Sequence, residues 1–224
     1  MAQTPPERAA TIIGDAPAPQ GAMSLLLGLL WRPSAGEAQI QAVKTVHIRG
    51  LEHMVAQRGR ELADLSPELK LPLIELCLPT LKALSPTQYQ TLKRLLVQFI
   101  RADGRIDLHE WCLFQLVRHY LDPVYVKRKP ARPRYSELRK VRDALSVALG
   151  TLALLGAEDT NQAFERGAQA VGLELTFPPD TELSVPNFGK AIERLADTYP
   201  LLKVTILKAM AEVARHDGRV CPRE

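Results

Sequence analysis

The sequence predicts an all-α protein, and three observations carry that prediction. Apolar residues recur at helical spacing, most cleanly at Leu92, Leu95, Leu96, Phe99 and Ile100, which fall at i, i+3, i+4, i+7 and i+8 and share one face. Helix start signals also recur: a Ser or Thr stands before Pro in Thr4-Pro5, Ser66-Pro67 and Ser85-Pro86. No stretch alternates apolar and polar residues with period two, and aromatic residues make up only 5% of the chain, which argues against an all-β sandwich. The 224 residues suffice for one large domain or two small ones. With 46% apolar and 24% charged residues, the composition is that of a globular chain, not of a disordered, collagen-like or coiled-coil one.

The elements follow in order. Thr4-Pro5-Pro6-Glu7 has capping-box spacing and starts a short helix reaching Gly14. Ala16–Gln20 is a proline-broken link, and residues 1–20 form an N-terminal helix and linker. A second helix covers Gly21–Trp31 and stops before Pro33. Ser34-Ala35-Gly36-Glu37 is another capping box, leading into loosely periodic Ile40, Val43, Val46 and Ile48. A helix then covers Leu51–Leu65. The one opened by Ser66-Pro67 contains Pro72 and Pro79 and is expected to kink or break. The one opened by Ser85-Pro86 runs cleanly to Asp103-Gly104. Asp107-Leu-His-Glu110 starts the next, which is expected to stop at Asp122-Pro123. Ser136–Leu155 reads as one long helix with Leu138, Val141, Leu145, Leu149 and Leu152 in register. Thr160–Val171 follows, closed by Gly172. Leu173–Pro186 is a proline-rich loop, and Asn187–Thr198 and Pro200–His216 are the last two helices. The organisation is thus a first helical half over 21–126, a basic connector over 127–142 that runs into a helix, and a second helical half over 143–224.

Charge is concentrated in that connector. The formal net charge is +4, but Lys127–Arg142 holds eight basic residues (Lys127, Arg128, Lys129, Arg132, Arg134, Arg139, Lys140 and Arg142) against Glu137, a net of +7, so everything else sums to −3. A solvated loop and a contact for an anionic membrane surface both fit this pattern. Nucleic acid fits less well, because Tyr135 is the only aromatic in the stretch and no helix-turn-helix or RNA-binding signature accompanies it. No apolar run approaches the roughly 20 residues that span a bilayer. Met23–Trp31, about half that length, reads as a core helix, and MAQTPPERAA does not read as a signal peptide. Cys77, Cys112 and Cys221 are odd in number and form no C-x-x-C pair, which points to a reducing compartment.

The most informative pattern is internal. Residues 100–110 (IRADGRIDLHE) align with 214–224 (ARHDGRVCPRE), both reading R-x-D-G-R-[IV]-x-x-x-E after an amphipathic helix. Gly104 and Gly218 supply a permissive backbone at a helix end. Asp107 and Cys221 stand at the next N-cap, with Glu110 and Glu224 at the third helical position. Read this way, the sequence breaks off inside the second motif. D-G-x5-E is also the second half of an EF-hand loop, but the positions of the first two ligands hold Phe99 and Arg101 in one copy and Val213 and Arg215 in the other, so a standard calcium loop is excluded. A shared acidic metal site built from Asp103, Asp107, Glu110, Asp217 and Glu224 stays open beside the capping reading. His109, Cys112, His216 and Cys221 are a weaker zinc set, because Cys221 aligns with Asp107 and not with Cys112.

The paired D-G-x5-E turns resemble TerB-like domains, the helical family linked to tellurite resistance and co-chaperone-like proteins. More specifically, Ser24–Leu27, LKLPLIELCLPTL at Leu69–Leu81, LSPTQY at Leu84–Tyr89 and ADGRIDLHEW at Ala102–Trp111 are similar to the C-terminal region of membrane-anchored, HtpX-like zinc metallopeptidases of Gram-negative bacteria. The resemblance runs from Met23 to the end and is strongest over Leu65–Leu121. It implies a multi-helix bundle with two TerB-like helix–turn–helix repeats, at the cytoplasmic face of the inner membrane. It also implies that zinc belongs to a catalytic domain not contained in this sequence, since His109-Glu110-Trp111-Cys112-Leu113 lacks the second histidine of H-E-x-x-H. The expectation is therefore a non-enzymatic interaction or regulatory domain of a quality-control protease, with no catalytic or cofactor-binding residue of its own. Its partner would be another protein or the protease's own domains. The alternative is a stand-alone TerB-like stress-response protein that binds metal.

Overall fold

A computed structural model describes residues 14–104, 106–126 and 133–216. The expected helix at Thr4–Gly14, all but its last residue, lies outside these, as do Lys127, Arg128, Lys129, Arg132 and the second D-G motif with Asp217, Cys221 and Glu224. Among the described residues there are ten α-helices, two 3-10 turns and no strand, so the chain is all-α. It divides into two compact units between Arg128 and Lys129, inside the basic connector.

The first unit contains α1 (Pro19–Gly28), α2 (Gly36–Lys44), α3 (Leu51–Glu61), α4 (Pro67–Lys82), α5 (Pro86–Ile100) and α6 (Leu108–Tyr125). Helix α1 is buried from Gly21 to Gly28 because it is apolar all round, and it packs against α3, α4 and α5. Full burial of Leu25, Leu26 and Leu27 contributes roughly 2 kcal/mol each. Helix α5 follows its sequence pattern. Leu92, Leu95, Leu96, Phe99 and Ile100 are buried, and Ser85 and Gln88 form a reciprocal capping box.

Three local expectations are corrected. Helix α4 is continuous through Pro72 and Pro79. Both prolines lie on its exposed side, where water can satisfy the carbonyls they leave unpaired, while Leu73, Ile74, Cys77, Leu78 and Leu81 on the other side are buried and hold the helix together. Helix α6 likewise passes Pro123. The Tyr125 hydroxyl donates to the carbonyls of Leu81 (2.7 Å) and Leu84 (3.0 Å), which fixes the turn beyond the proline. Ser34 does not cap α2; Pro33–Ala35 form a 3-10 turn and Ala35 precedes the helix.

The second unit contains α7 (Arg142–Gly156), α8 (Thr160–Val171), α9 (Val185–Ala196) and α10 (Pro200–Ala214). The long helix expected from Ser136 starts later, as a 3-10 turn at Leu138–Val141 followed by α7. The N–H groups of Arg134 and Tyr135 both donate to the Asp197 carbonyl (2.7 and 3.2 Å), and Tyr199 N–H donates to the Tyr135 carbonyl (3.0 Å). That short parallel bridge holds the backbone extended where the helix was expected to begin. Helices α8 and α10 cross at Gly167, where an added Cβ would stand 2.5 Å from Val213 Cγ2. Helix α8 ends at Gly172, with φ of 71°.

Candidate functional site

The first D-G turn is the most elaborate polar site among the described residues. Helix α5 ends at Ile100, and Gly104, at φ 74°, reverses the chain while its N–H donates to the Arg101 carbonyl (3.1 Å). Asp107 then caps α6. Its carboxylate accepts from His109 N–H (2.8 Å), and the Glu110 carboxylate accepts from Asp107 N–H (3.4 Å). The capping box read from sequence is therefore present.

The sequence reading missed the cation. Arg32, in the loop after α1, donates from Nη1 to Asp103 Oδ2 (2.6 Å) and from Nε to Glu110 Oε1 (2.7 Å), and its Nη2 lies 3.8 Å from Asp107 Oδ2. The three acids of the first turn thus gather around a guanidinium. Gln39, fully buried on α2, holds that loop in place. Its Oε1 accepts from Arg32 N–H (3.0 Å), and its Nε2 donates to the carbonyls of Leu30 (2.9 Å) and Phe99 (3.4 Å). Burial works against the Arg32 charge, yet Glu110 and Asp103 beside it hold its pKa above the ordinary value. Burial also pushes the Glu110 carboxyl upward, against the pull of Arg32 and of the Asp107 N–H. Asp217 and Glu224, the other acids of the expected metal set, lie outside the described residues. Among the described residues no group of three His, Cys, Asp or Glu side chains is arranged to hold a metal ion.

His109 and Cys112 diverge in environment. His109 Nε2 is buried without a hydrogen-bond partner, and burial, with Lys70 nearby, lowers its pKa. Cys112 is exposed and Cys77 is buried, and burial raises the Cys77 thiol to about 11. A second polar cluster ties α6 to α5. Asp122, 1% exposed, accepts from the Tyr89 hydroxyl (2.5 Å), Lys93 Nζ (2.9 Å) and Arg118 Nε (3.3 Å).

The described part of the basic connector is used locally. Arg134 lies 3.6 Å from Asp197, Lys140 lies 3.3 Å from Glu137, and Arg142 donates to the Glu174 carbonyl (3.0 Å). Arg139 is exposed. No described helix is long and apolar enough to cross a membrane.

Apolar side chains face solvent on α10. Leu201 is 86% exposed, Leu207 64% and Val204 52%, with Tyr199 just before them. Between α9 and α10 runs a groove of about 160 Å³ with a wholly apolar lining apart from the Lys203 stem. No family model, curated protein or solved structure matches this chain.

Proposed function

We propose that this chain is a non-catalytic helical interaction domain serving a membrane-anchored, HtpX-like zinc metallopeptidase at the cytoplasmic face of the inner membrane, in protein quality control. The observation that carries the interaction reading is the apolar surface of α10, where Leu201, Val204 and Leu207 stand in water. Exposed apolar side chains scattered singly need no explanation, but three within seven residues beside an apolar groove mark a surface that gains by being covered. The acidic turn, by contrast, is organised around Arg32 and serves to fix the join between α5 and α6. The link to a peptidase rests on the sequence pattern of Leu65–Leu121.

A photocrosslinking residue placed at Leu201 or Val204 in the full chain tests this in bacterial cells, with one at exposed Glu165 as control. Adducts containing a protein with an H-E-x-x-H zinc motif are expected. Adducts with other proteins alone would remove the peptidase assignment. No excess over the Glu165 control would remove the interaction reading itself.

A further inference from the structure

The proline-rich loop between α8 and α9 does more than join two helices. Residues 174–179 run extended, and a cleft of about 570 Å³ opens between them and the first turns of α7, wholly within the second unit. Small-molecule sites have volumes of roughly 300–1,000 Å³. The α7 wall of the cleft consists of Arg142, Asp143, Ser146 and Val147.

Each wall is fixed by contacts of its own. Gly150 lets the loop close on α7: an added Cβ there would stand 2.9 Å from Leu183 Cδ2 and 3.1 Å from Pro178 Cδ. The Phe177 ring meets buried Phe164 edge to face, with centroids 5.1 Å apart. Arg142 Nη2 donates to the Glu174 carbonyl (3.0 Å) and ties the near end of the loop to the first turn of α7. At the far end the N–H groups of Glu182 and Leu183 donate to the carbonyls of Pro179 and Asp180 (2.9 and 3.1 Å), a turn that sets Glu182 at the cleft. A site shaped in advance loses less entropy when it is filled.

Three side chains of the cleft have no partner among the described residues. Ser146 is only 9% exposed, yet its hydroxyl makes no hydrogen bond there. A serine inside a helix can turn its hydroxyl onto a carbonyl of the preceding turn, as Ser24 does to Gly21 (2.8 Å); Ser146 does not. Asp143 and Glu182 enter no ion pair among the described residues. Two carboxylates thus face one guanidinium, and that guanidinium is already held by the Glu174 carbonyl. Val147, Phe177 and buried Pro178 supply the apolar lining. We infer that this cleft binds a small organic amine, with its ammonium group at Asp143 and Glu182, its apolar body against Val147, Phe177 and Pro178, and a hydrogen bond to Ser146 Oγ. None of these residues belongs to the apolar face of α10, so the amine site and the interaction reading stand or fall separately.

The test titrates the full, nitrogen-15-labelled chain with 2-phenylethylamine and with 1,5-diaminopentane, following backbone amides by NMR. The neutral 2-phenylethanol and the anionic phenylacetate serve as comparisons. Saturable shifts centred on the amides of Asp143, Ser146, Phe177 and Glu182 are expected from the amines, at affinities about tenfold or more above those of the two comparisons. Asp143→Asn combined with Glu182→Gln, both at exposed positions, should weaken amine binding by about tenfold, and Ser146→Ala by about threefold. Glu193→Gln, on the exposed side of α9, should leave it unchanged. An otherwise unaltered amide spectrum of the double variant separates lost charge from lost fold. No saturable shift from either amine, shifts centred elsewhere, or phenylacetate binding as well as the amines would overturn the inference. So would a correctly folded double variant that keeps the wild-type affinity.

Discussion

At the scale of single residues, Arg32 and Glu110 decide how the first turn behaves. Glutamine at 110 still completes a capping box, so sequence alone predicts a mild lesion. The ion pair to Arg32 changes that. Glu110→Gln exchanges a charge-assisted hydrogen bond for a neutral one beside a partly buried guanidinium, and we expect a loss of about 1 kcal/mol. Arg32→Ala, which leaves three carboxylates facing one another, should cost about 2 kcal/mol, reduced from a fully buried pair because the arginine is 30% exposed. It should also make the melting temperature responsive to magnesium or calcium, by giving the acids a reason to take another cation. Gly104→Val should cost about 1 kcal/mol or more through its positive φ, with no packing clash, since nothing lies within 4 Å of its would-be Cβ. Thermal melts of the three variants, with and without divalent ions, check the order. A metal-induced rise in the wild type that Glu110→Gln abolishes would favour a metal site over the arginine-filled turn.

His109 sets an acid limit. Its folded pKa lies below the ordinary 6.5, so the unfolded chain binds the extra proton first. Stability therefore falls as pH drops through 6.5 toward the lowered folded value, and is level above that range. Glu110 works the other way. Its raised folded pKa favours the protonated form in the native state, so its contribution is fully present below the ordinary 4.5 and is lost as pH rises through the folded value. Chemical denaturation between pH 7.5 and pH 5.5 should show the histidine slope, and His109→Leu should flatten it; an unchanged slope would assign the proton elsewhere.

At the scale of elements, what could be read from sequence was whatever lay within about ten residues. The Ser85–Gln88 and Asp107–Glu110 capping boxes, the buried face of α5 and the terminating Gly172 are local, and each is present as expected. Distant contacts decided the rest. Helix α4 continues past two prolines because its other face is buried, and the start of α7 is displaced by the Asp197 and Tyr199 backbone, some 60 residues downstream. Arg32 could not be found from the acids, since it lies 71 to 78 residues before Asp103 and Glu110 and WRPS carries no signal of its own. The crossing of α8 and α10 gives a further expectation. Gly167→Val should prise the helices apart by overpacking against Val213 and the Ala209 carbonyl, at a cost of about 1–3 kcal/mol. Val213→Ala in the same chain should return part of it, because it removes the atom 2.5 Å from the new Cβ. Equal destabilisation in both backgrounds would mean the strain lies elsewhere.

At the scale of the whole molecule, the notable fact is that the chain divides into two compact units. Each unit has its own buried core: Leu25, Leu95, Phe99 and Val117 in the first, Leu145, Leu149, Phe164 and Ala209 in the second. Residues 129–224 expressed alone should therefore give a helical circular-dichroism spectrum and a cooperative melt; a non-cooperative, unstructured fragment would show that the second unit borrows its core. The anionic-surface contact expected of the basic connector makes a prediction of its own. With Arg134, Lys140 and Arg142 committed within the second unit, binding to anionic vesicles should be weaker than a +7 segment suggests and should fade at high salt. Equal sedimentation with neutral and anionic vesicles would remove that contact.

Gln39 carries a last consequence, in the language of hydrogen exchange. One buried side chain joins the Arg32 amide to the carbonyl of Phe99, in the last turn of α5, while the Arg32 guanidinium grips the first turn of α6. The Arg32 amide, which sits in a loop and in no helix, should then be as slow to exchange as the His109 and Trp111 amides, and should open in the same event. A Gln39→Leu variant should separate the two, leaving a fast loop amide beside a slow helix.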